Sequence, residues 1–349
     1  MITIAHLLDD FSMGGVTRAL TLFDEPMIKA RAQSRVIPID PASALAPRID
    51  ADLIVDHTAL SWRRFAFLAS LRARHPNARI VHVMHGYTRA FEACEVKEKR
   101  RFRRMLRSAA RLVDDIICVS DAQRDWLMSE VGIGRDRLRV IYPWTDRTEL
   151  FSLPAAPARD GRALHLLAYG RYAEVKNFAE LITAMRSFRP SEVRLTVFGD
   201  GPQRTLLTAL AADMPHVEVL GPSSSPAVHL ASCDAVIVPS RYEPFGLVAT
   251  EARMAGRAVI AADIDGLPEQ VREGGQVAAL GSAYDIAQAI RAATRADLAQ
   301  LGMEGRRGVK SQHTQILRRW CQLIEHVDTA RNPHGVERAM FTQLERAQA

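Results

Sequence analysis

The chain has 349 residues, 48% of them hydrophobic and 25% charged, with a formal net charge of +6. That length predicts two domains, each able to bury a core of its own, and the balance excludes a disordered or collagen-like chain. No apolar run nears the ~18 residues that cross a bilayer; the opening MITIAHLLDD lacks the basic start of a signal peptide, and Cys94, Cys118, Cys233 and Cys321 form no CxxC, so a cytoplasmic protein without structural zinc or disulfides is expected.

In chain order, Ile2–Leu8 (ITIAHLL) reads as a buried first strand. Gly14-Gly15 then opens a helix over 16–23. Glycine lets backbone come close to a phosphate, although a glycine pair alone is weak evidence. Residues 35–39 and 51–57 read as strands and 61–74 as a helix. Residues 80–84 (IVHVM) form a strand that runs into His85-Gly86-Tyr87. A histidine just past the carboxyl end of a parallel strand lies where open α/β sheets bind ligands. Read alone, it serves equally well as a structural loop residue. His82, inside the strand, reads as structural.

Residues 92–112 read as one long helix carrying Lys97, Lys99, Arg100, Arg101, Arg103, Arg104, Arg107 and Arg111. Phe102, Met105, Leu106 and Ala109 give it a buried stripe. Its basic face is either a solvated surface paired to Glu92, Glu95 and Glu98, or an interfacial face for anionic lipid through Arg100, Arg101, Arg103 and Arg104. The charge distribution bears on this choice. Residues 1–150 hold 24 Lys+Arg against 19 Asp+Glu, and the remainder holds 22 against 21. A basic first half predicts an anionic partner. No nucleic-acid motif is present, so nucleic acid is not expected and a membrane surface is.

A strand at 115–120, a helix from Asp121 as N-cap to Val131, and a strand at 138–142 follow. SLPAAPARDG at 152–161 reads as an interdomain linker. Strand 164–170 ends in Gly170-Arg171, and Lys176-Asn177 opens helix 178–188. Arg171 and Lys176 read either as a diphosphate clamp or as two exposed cations. Strand 193–199, helix 203–212, strand 217–220 and helix 225–231 continue the alternation. Helices 283–294, 297–311 and from Gln315 through Pro333 close the chain. Alternating strands and helices predict two parallel, doubly wound sheets.

The most informative stretch is PSRYEPFGLVATEARMAGRAVIAADIDGLPE, residues 239–269. It reads as a turn holding Glu243, a helix from Gly246 with Glu251 on it, and a strand at 257–262. A helix N-terminus with unpaired N–H groups suits a diphosphate, and a carboxylate further in can accept from two ribose hydroxyls. Spacing alone also fits a plain βαβ unit with surface glutamates. The wording of the stretch, Glu243-Pro-Phe-Gly, Glu251, Gly256 and Gly266-Leu-Pro-Glu269, closely resembles the retaining glycosyltransferases of family GT4. These have the GT-B fold and a glutamate–seven residues–glutamate motif. One departure is Asp265-Gly266, where the family usually has two glycines. Another is Pro143-Trp144-Thr145-Asp146, where it usually has an asparagine-glycine pair.

The resemblance implies a nucleoside diphosphate sugar as donor, bound by the second domain, and no metal. It implies that Gly15 meets the donor phosphates, that His85 touches the donor sugar, and that Arg171 and Lys176, in a Gly170-Arg…Lys-Asn pattern, hold the diphosphate. It implies that Glu243 holds the sugar ring, that Phe245, Gly246 and Leu247 line the donor site, and that Glu251 holds the ribose. The acceptor is expected in the first domain and is lipid-linked or a saccharide, with the protein peripheral on the inner face of a membrane. The expected boundaries are 1–151, a linker at 152–161, 162–330, and a final helix at 331–349 packing back on the first domain. A sugar-nucleotide 2-epimerase or a degenerate, partner-binding member of the fold are the alternatives. A nicotinamide dehydrogenase fits less well, because no GxGxxG follows the first strand.

Overall fold

The structure is a computed structural model and describes residues 1–331 apart from 12–14, 157–158 and 272–273. Two six-stranded sheets dominate it, and every pairing recorded within them is parallel. The first contains β1 (Ile2–Leu8), β2 (Ala32–Pro38), β3 (Leu53–Asp56), β4 (Arg79–Met84), β5 (Asp115–Cys118) and β6 (Leu138–Val140), in the order β2-β1-β3-β4-β5-β6. The second contains β7 (Leu164–Arg171), β8 (Val193–Asp200), β9 (Val217–Leu220), β10 (Ala235–Val238), β11 (Ala258–Ala262) and β12 (Gly275–Ala278), in the order β12-β11-β10-β7-β8-β9. Parallel strands are covered on both faces, so unbroken apolar runs rather than alternating ones form them. LIVD, AVIV and AVIAA are accordingly buried along their whole length.

Each sheet has a point where the strand order reverses, between β1 and β3 in the first and between β7 and β10 in the second. Crevices at the carboxyl ends of strands beside such points bind ligands in open α/β sheets. His57 follows β3, His85 follows β4, Arg171 ends β7 and the Glu243 turn follows β10. The topology thus sends residues from distant parts of the chain to one cleft.

The last described helix, Leu298–Arg331, is 34 residues long and continuous, not divided into separate helices at 311–315 as expected. It leaves the second domain backbone to backbone. A Cβ on Gly302 would lie 2.2 Å from Gly256 O, and one on Gly274 would lie 2.4 Å from Gly305 Cα. It then crosses to the first domain. Trp320 packs edge-on to Phe23 at 4.8 Å, Arg319 donates to Val140 O at 2.7 Å, and Glu325 pairs with Arg31 at 2.9 Å. The return to the first domain is therefore made by residues that the sequence reading gave to the second. Residues 332–349, assigned that return, lie outside the described residues. The linker is anchored, since Arg257, with no exposed surface, donates to Pro154 O at 2.9 Å and Arg306 donates to Leu153 O at 2.8 Å.

The basic segment is two helices, Arg89–Glu95 and Lys99–Ala110, rather than one. Val96 turns extended, and the second helix doubles back so that Arg103 forks onto Glu92 at 2.6 and 2.5 Å and reaches Glu130 at 2.5 Å. The next helix, Asp121–Trp126, is capped by Ser120, not by Asp121: the Ser120 side chain accepts from Gln123 N.

Candidate active site

The turn after β10 carries Glu243. Its carboxylate accepts from Lys176 Nζ and, at 3.1 Å, from Ser240 Oγ. Lys176 is brought there by a short turn, Glu174–Lys176, after which Asn177 adopts the left-handed conformation (φ 57°) and starts helix Phe178–Met185. Asparagine tolerates that region better than most residues. Gly246 (φ 91°) opens helix Leu247–Met254, and a Cβ there would lie 2.6 Å from Leu267 Cδ2. The N-terminal N–H groups of this helix are a site for negative charge.

Between the domains lies a cavity of about 260 Å³ whose lining includes Gly15, His85, Lys176, Glu243, Phe245, Gly246 and Leu247. It brings together one cation, one carboxylate, one imidazole and a helix N-terminus. Gly15 approaches Leu247 so closely that a Cβ would sit 3.0 Å from Leu247 Cδ1. Gly14, its sequence partner, lies outside the described residues. Arg171 is exposed at the end of β7 and does not line this cavity. Gly170 (φ 136°) stands behind Lys176, with its Cβ position 3.9 Å from Lys176 Cε.

Glu251 is 3% exposed and also lies outside the lining. Tyr169 Oη donates to its Oε2 at 2.8 Å and Thr145 Oγ1 to its Oε1 at 3.2 Å. Arg147 and Arg18 pair with Oε1 at 3.2 and 3.5 Å. Burial pushes its carboxyl above the usual range, while Arg147, Tyr169, Arg18 and Thr145 act in the opposite sense. The 143–147 loop, which departs from the expected pattern, therefore supplies two of the four groups around Glu251.

The departure at Asp265 also has a structural counterpart. Asp265 (φ 46°) accepts from Thr88 Oγ1 at 2.8 Å, Ala90 N at 3.1 Å and Glu243 N at 3.1 Å. It thus joins the N-terminus of Arg89–Glu95 in the first domain to the Glu243 turn in the second. Glu269 does the same at the start of Asp121–Trp126, accepting from Asp121 N at 2.9 Å, Ala122 N at 2.7 Å and Tyr142 Oη at 2.7 Å. Carboxylates on helix N-termini are favourable contacts. Sequence reading placed Glu269 in the motif without a role.

Two family models match the chain in succession, "Glycosyltransferase Family 4" over residues 23–149 and "Glycosyl transferases group 1" over residues 163–295. The chain belongs to glycosyltransferase family 4. It is 31% identical over 219 residues to the D-inositol 3-phosphate glycosyltransferase of Pseudarthrobacter chlorophenolicus, a match that covers 56% of this chain and 51% of that protein. The chain spans about half the length of the curated relatives it matches. Its fold is similar to that of Anabaena Alr3699/HepE in complex with UDP and glucose (TM-score 0.71, 18% identity, 93% of this chain and 100% of that one). It is also similar to sucrose-phosphate synthase from Thermosynechococcus elongatus (TM-score 0.73, 20% identity, 95% and 100%). The two domains form the GT-B fold.

Within this family 4 chain the structure adds residues that the sequence reading missed. His57 Nδ1 lies 2.9 Å from His85 Nε2, and His57 Nε2 lies 3.0 Å from His6 Nδ1. The signal was available, because His57 also sits just past a strand's carboxyl end. Burial, helped by His82 and opposed by Asp56, lowers the His85 pKa to about 4. Burial lowers His6 to about 3 and takes His57 well below its usual value. His82 is structural, donating its Nδ1–H to Asp56 Oδ2 at 2.9 Å. Arg103 is corrected as well. Its guanidinium is committed to Glu92 and Glu130, whereas Arg100, Arg101 and Arg104 are exposed. Among the described residues no cluster of three or more His, Cys, Asp or Glu is arranged to hold a metal ion.

Proposed function

We propose that the protein moves a sugar from a nucleoside diphosphate sugar to a lipid-linked or saccharide acceptor, with retention and without a metal. The observation that carries this reading is the cleft cavity, where Lys176, Glu243, His85 and the start of Leu247–Met254 converge. The Lys176–Glu243 pair has a direct use. A diphosphate draws Lys176 to itself, which releases the Glu243 carboxylate to accept from sugar hydroxyls. Lys176, Arg171 and the helix N–H groups then stabilise the leaving diphosphate. Arg171 reaches it from the rim of the cleft, and Glu251 accepts from the ribose once Arg18, the longest of its contacts, moves off. The acceptor's proton passes to the leaving phosphate as attack occurs on the same face. No glycosylated Glu243 forms, unlike the covalent intermediate of retaining glycosidases.

Anomeric NMR of the product tests the stereochemistry. Retention is expected, and Glu243→Gln should keep weakened activity. An inverted product, or a sugar trapped on Glu243 by mass spectrometry, would overturn the mechanism. The relative's name supports an inositol phosphate among the acceptors to be screened, and the UDP and glucose of the Anabaena protein support UDP-glucose among the donors.

We further propose that the protein works at the inner face of a membrane, docked through Arg100, Arg101 and Arg104. These line an open basic concavity with Lys97, Lys99 and Arg107. No helix among the described residues is long and apolar enough to cross a membrane.

A further inference from the structure

Three adjacent strands, β1, β3 and β4, each deliver one histidine to the same line. His6 lies within β1, His57 follows β3, and His85 follows β4 at the cleft cavity. The rings form a chain, with nitrogens 3.0 Å apart between His6 and His57 and 2.9 Å apart between His57 and His85. Both nitrogens of His57 are used. A hydrogen bond between two neutral imidazoles needs one N–H and one lone pair. The two contacts therefore lock the three tautomers together. All three rings carry the proton on Nδ1, or all three carry it on Nε2.

The two ends of the chain are not equivalent. At the inner end, His6 Nε2 is buried without a partner among the described residues, and the ring packs edge-on to Phe23 at 4.2 Å. At the outer end, His85 Nδ1 makes no hydrogen bond among the described residues and belongs to a partly exposed ring in the cleft lining. Orphaned buried N–H groups are rarer than under-used acceptors in folded proteins. The common Nδ1–H set leaves only a bare nitrogen at the inner end and gives His85 a free N–H.

We propose that His6 and His57 are positioning residues that fix His85 as the Nδ1–H tautomer, so that it meets the donor substrate as a hydrogen-bond donor to oxygen. An ester or phosphate oxygen of a sugar phosphate offers only lone pairs, so a neutral imidazole must present its proton to bind one. The rings stay uncharged at neutral pH because burial lowers all three. The titratable groups around them are His82 and Asp56 on the neighbouring strands, with Lys176 and Glu243 across the cavity. The consequence for the substrate rests on the glycosyltransferase reading; the tautomers do not.

Two-bond ¹H–¹⁵N correlation NMR on the ¹⁵N-histidine-labelled full chain at pH 7, without substrate, reads each tautomer directly. Three Nδ1–H rings are expected. A mixed set, or a common Nε2–H set, overturns the proposal. Kinetics supply the second arm. The His57→Asn amide N–H takes the place of Nδ1–H, so this variant should keep kcat near wild type. His57→Leu should lose about tenfold or more in kcat, the loss of one oriented hydrogen bond. Equal loss in both variants, at equal melting temperature, counts against positioning. A wild-type protein with no transferase activity would sink the functional reading and leave the NMR result to decide this one.

Discussion

Glu251 is held by four groups, and this changes how it must be tested. Its deletion strands Arg147, which is 13% exposed in its side chain, beside a vacated carboxylate. Breaking a buried pair from one side costs about 3–5 kcal/mol. Glu251→Ala should therefore lower the melting temperature in calorimetry, and unchanged stability would contradict the four-contact picture. Glu251→Gln is the variant for donor affinity, since it keeps the shape and an acceptor oxygen. Lys176 behaves differently, because it and Glu243 keep side-chain accessibilities of 23% and 15%. Lys176→Ala should leave stability within about 1 kcal/mol, as for exposed pairs, yet cut activity by orders of magnitude in excess chelator. Loss of wild-type activity with chelator, restored by magnesium or manganese, would refute metal independence. Seven of the residues named from the sequence line one cavity, because a motif encodes the turn and helix that carry it. His6, Thr145 and Arg147 were not legible. Their roles depend on which strands end side by side, and one sequence does not state that.

At the scale of elements, the domains meet through carboxylates on helix starts. Asp265 reaches the start of Arg89–Glu95 and Glu269 that of Asp121–Trp126. Asp265→Gly, the expected family residue, removes one of these bridges. The ligand-free protein should then show a larger radius of gyration by small-angle scattering, and an unchanged value would show that Asp265 holds nothing closed. The basic helix yields a paired prediction. Replacing Arg100, Arg101 and Arg104 with Gln should weaken binding to anionic vesicles by about 1 kcal/mol per charge, with high salt acting likewise. Arg103→Gln should instead destabilise the fold, because Glu92 is 2% exposed and loses its partner. Equal binding to neutral and anionic vesicles would contradict the membrane reading. The buried strands were legible as apolar runs. The break at 96–98 was not, since no proline or glycine marks it. β12 escaped for a different reason: it is a short edge strand, only half-buried, that begins at a glycine.

For the whole molecule, the histidine chain predicts a pH dependence with a definite sign. His6 and His85 have folded pKa values of about 3 and about 4, below the usual 6.5. Between those values and 6.5 the unfolded chain binds more protons than the folded one, so stability rises with pH across that window. The melting temperature should fall steadily as pH drops from 6.5 toward 4, and less steeply in His57→Asn. A flat profile would contradict buried neutral histidines. The two-domain architecture was legible because each half repeats strand–helix alternation. The crossing helix was expected as separate segments divided at 311–315; in the fold Gln312 meets Arg253, and His313 stacks on Trp144 at 4.7 Å as the helix passes between domains. The central claim is that a nucleoside diphosphate sugar enters the cleft and takes Lys176 from Glu243. Calorimetric titration with UDP, GDP, ADP and their sugars, in excess chelator, on the wild type and Lys176→Ala tests it most directly. At least one nucleotide should bind the wild type and lose about tenfold or more in affinity, as for a charge-assisted hydrogen bond, in the variant. Binding of none, or equal binding by both proteins, would contradict it.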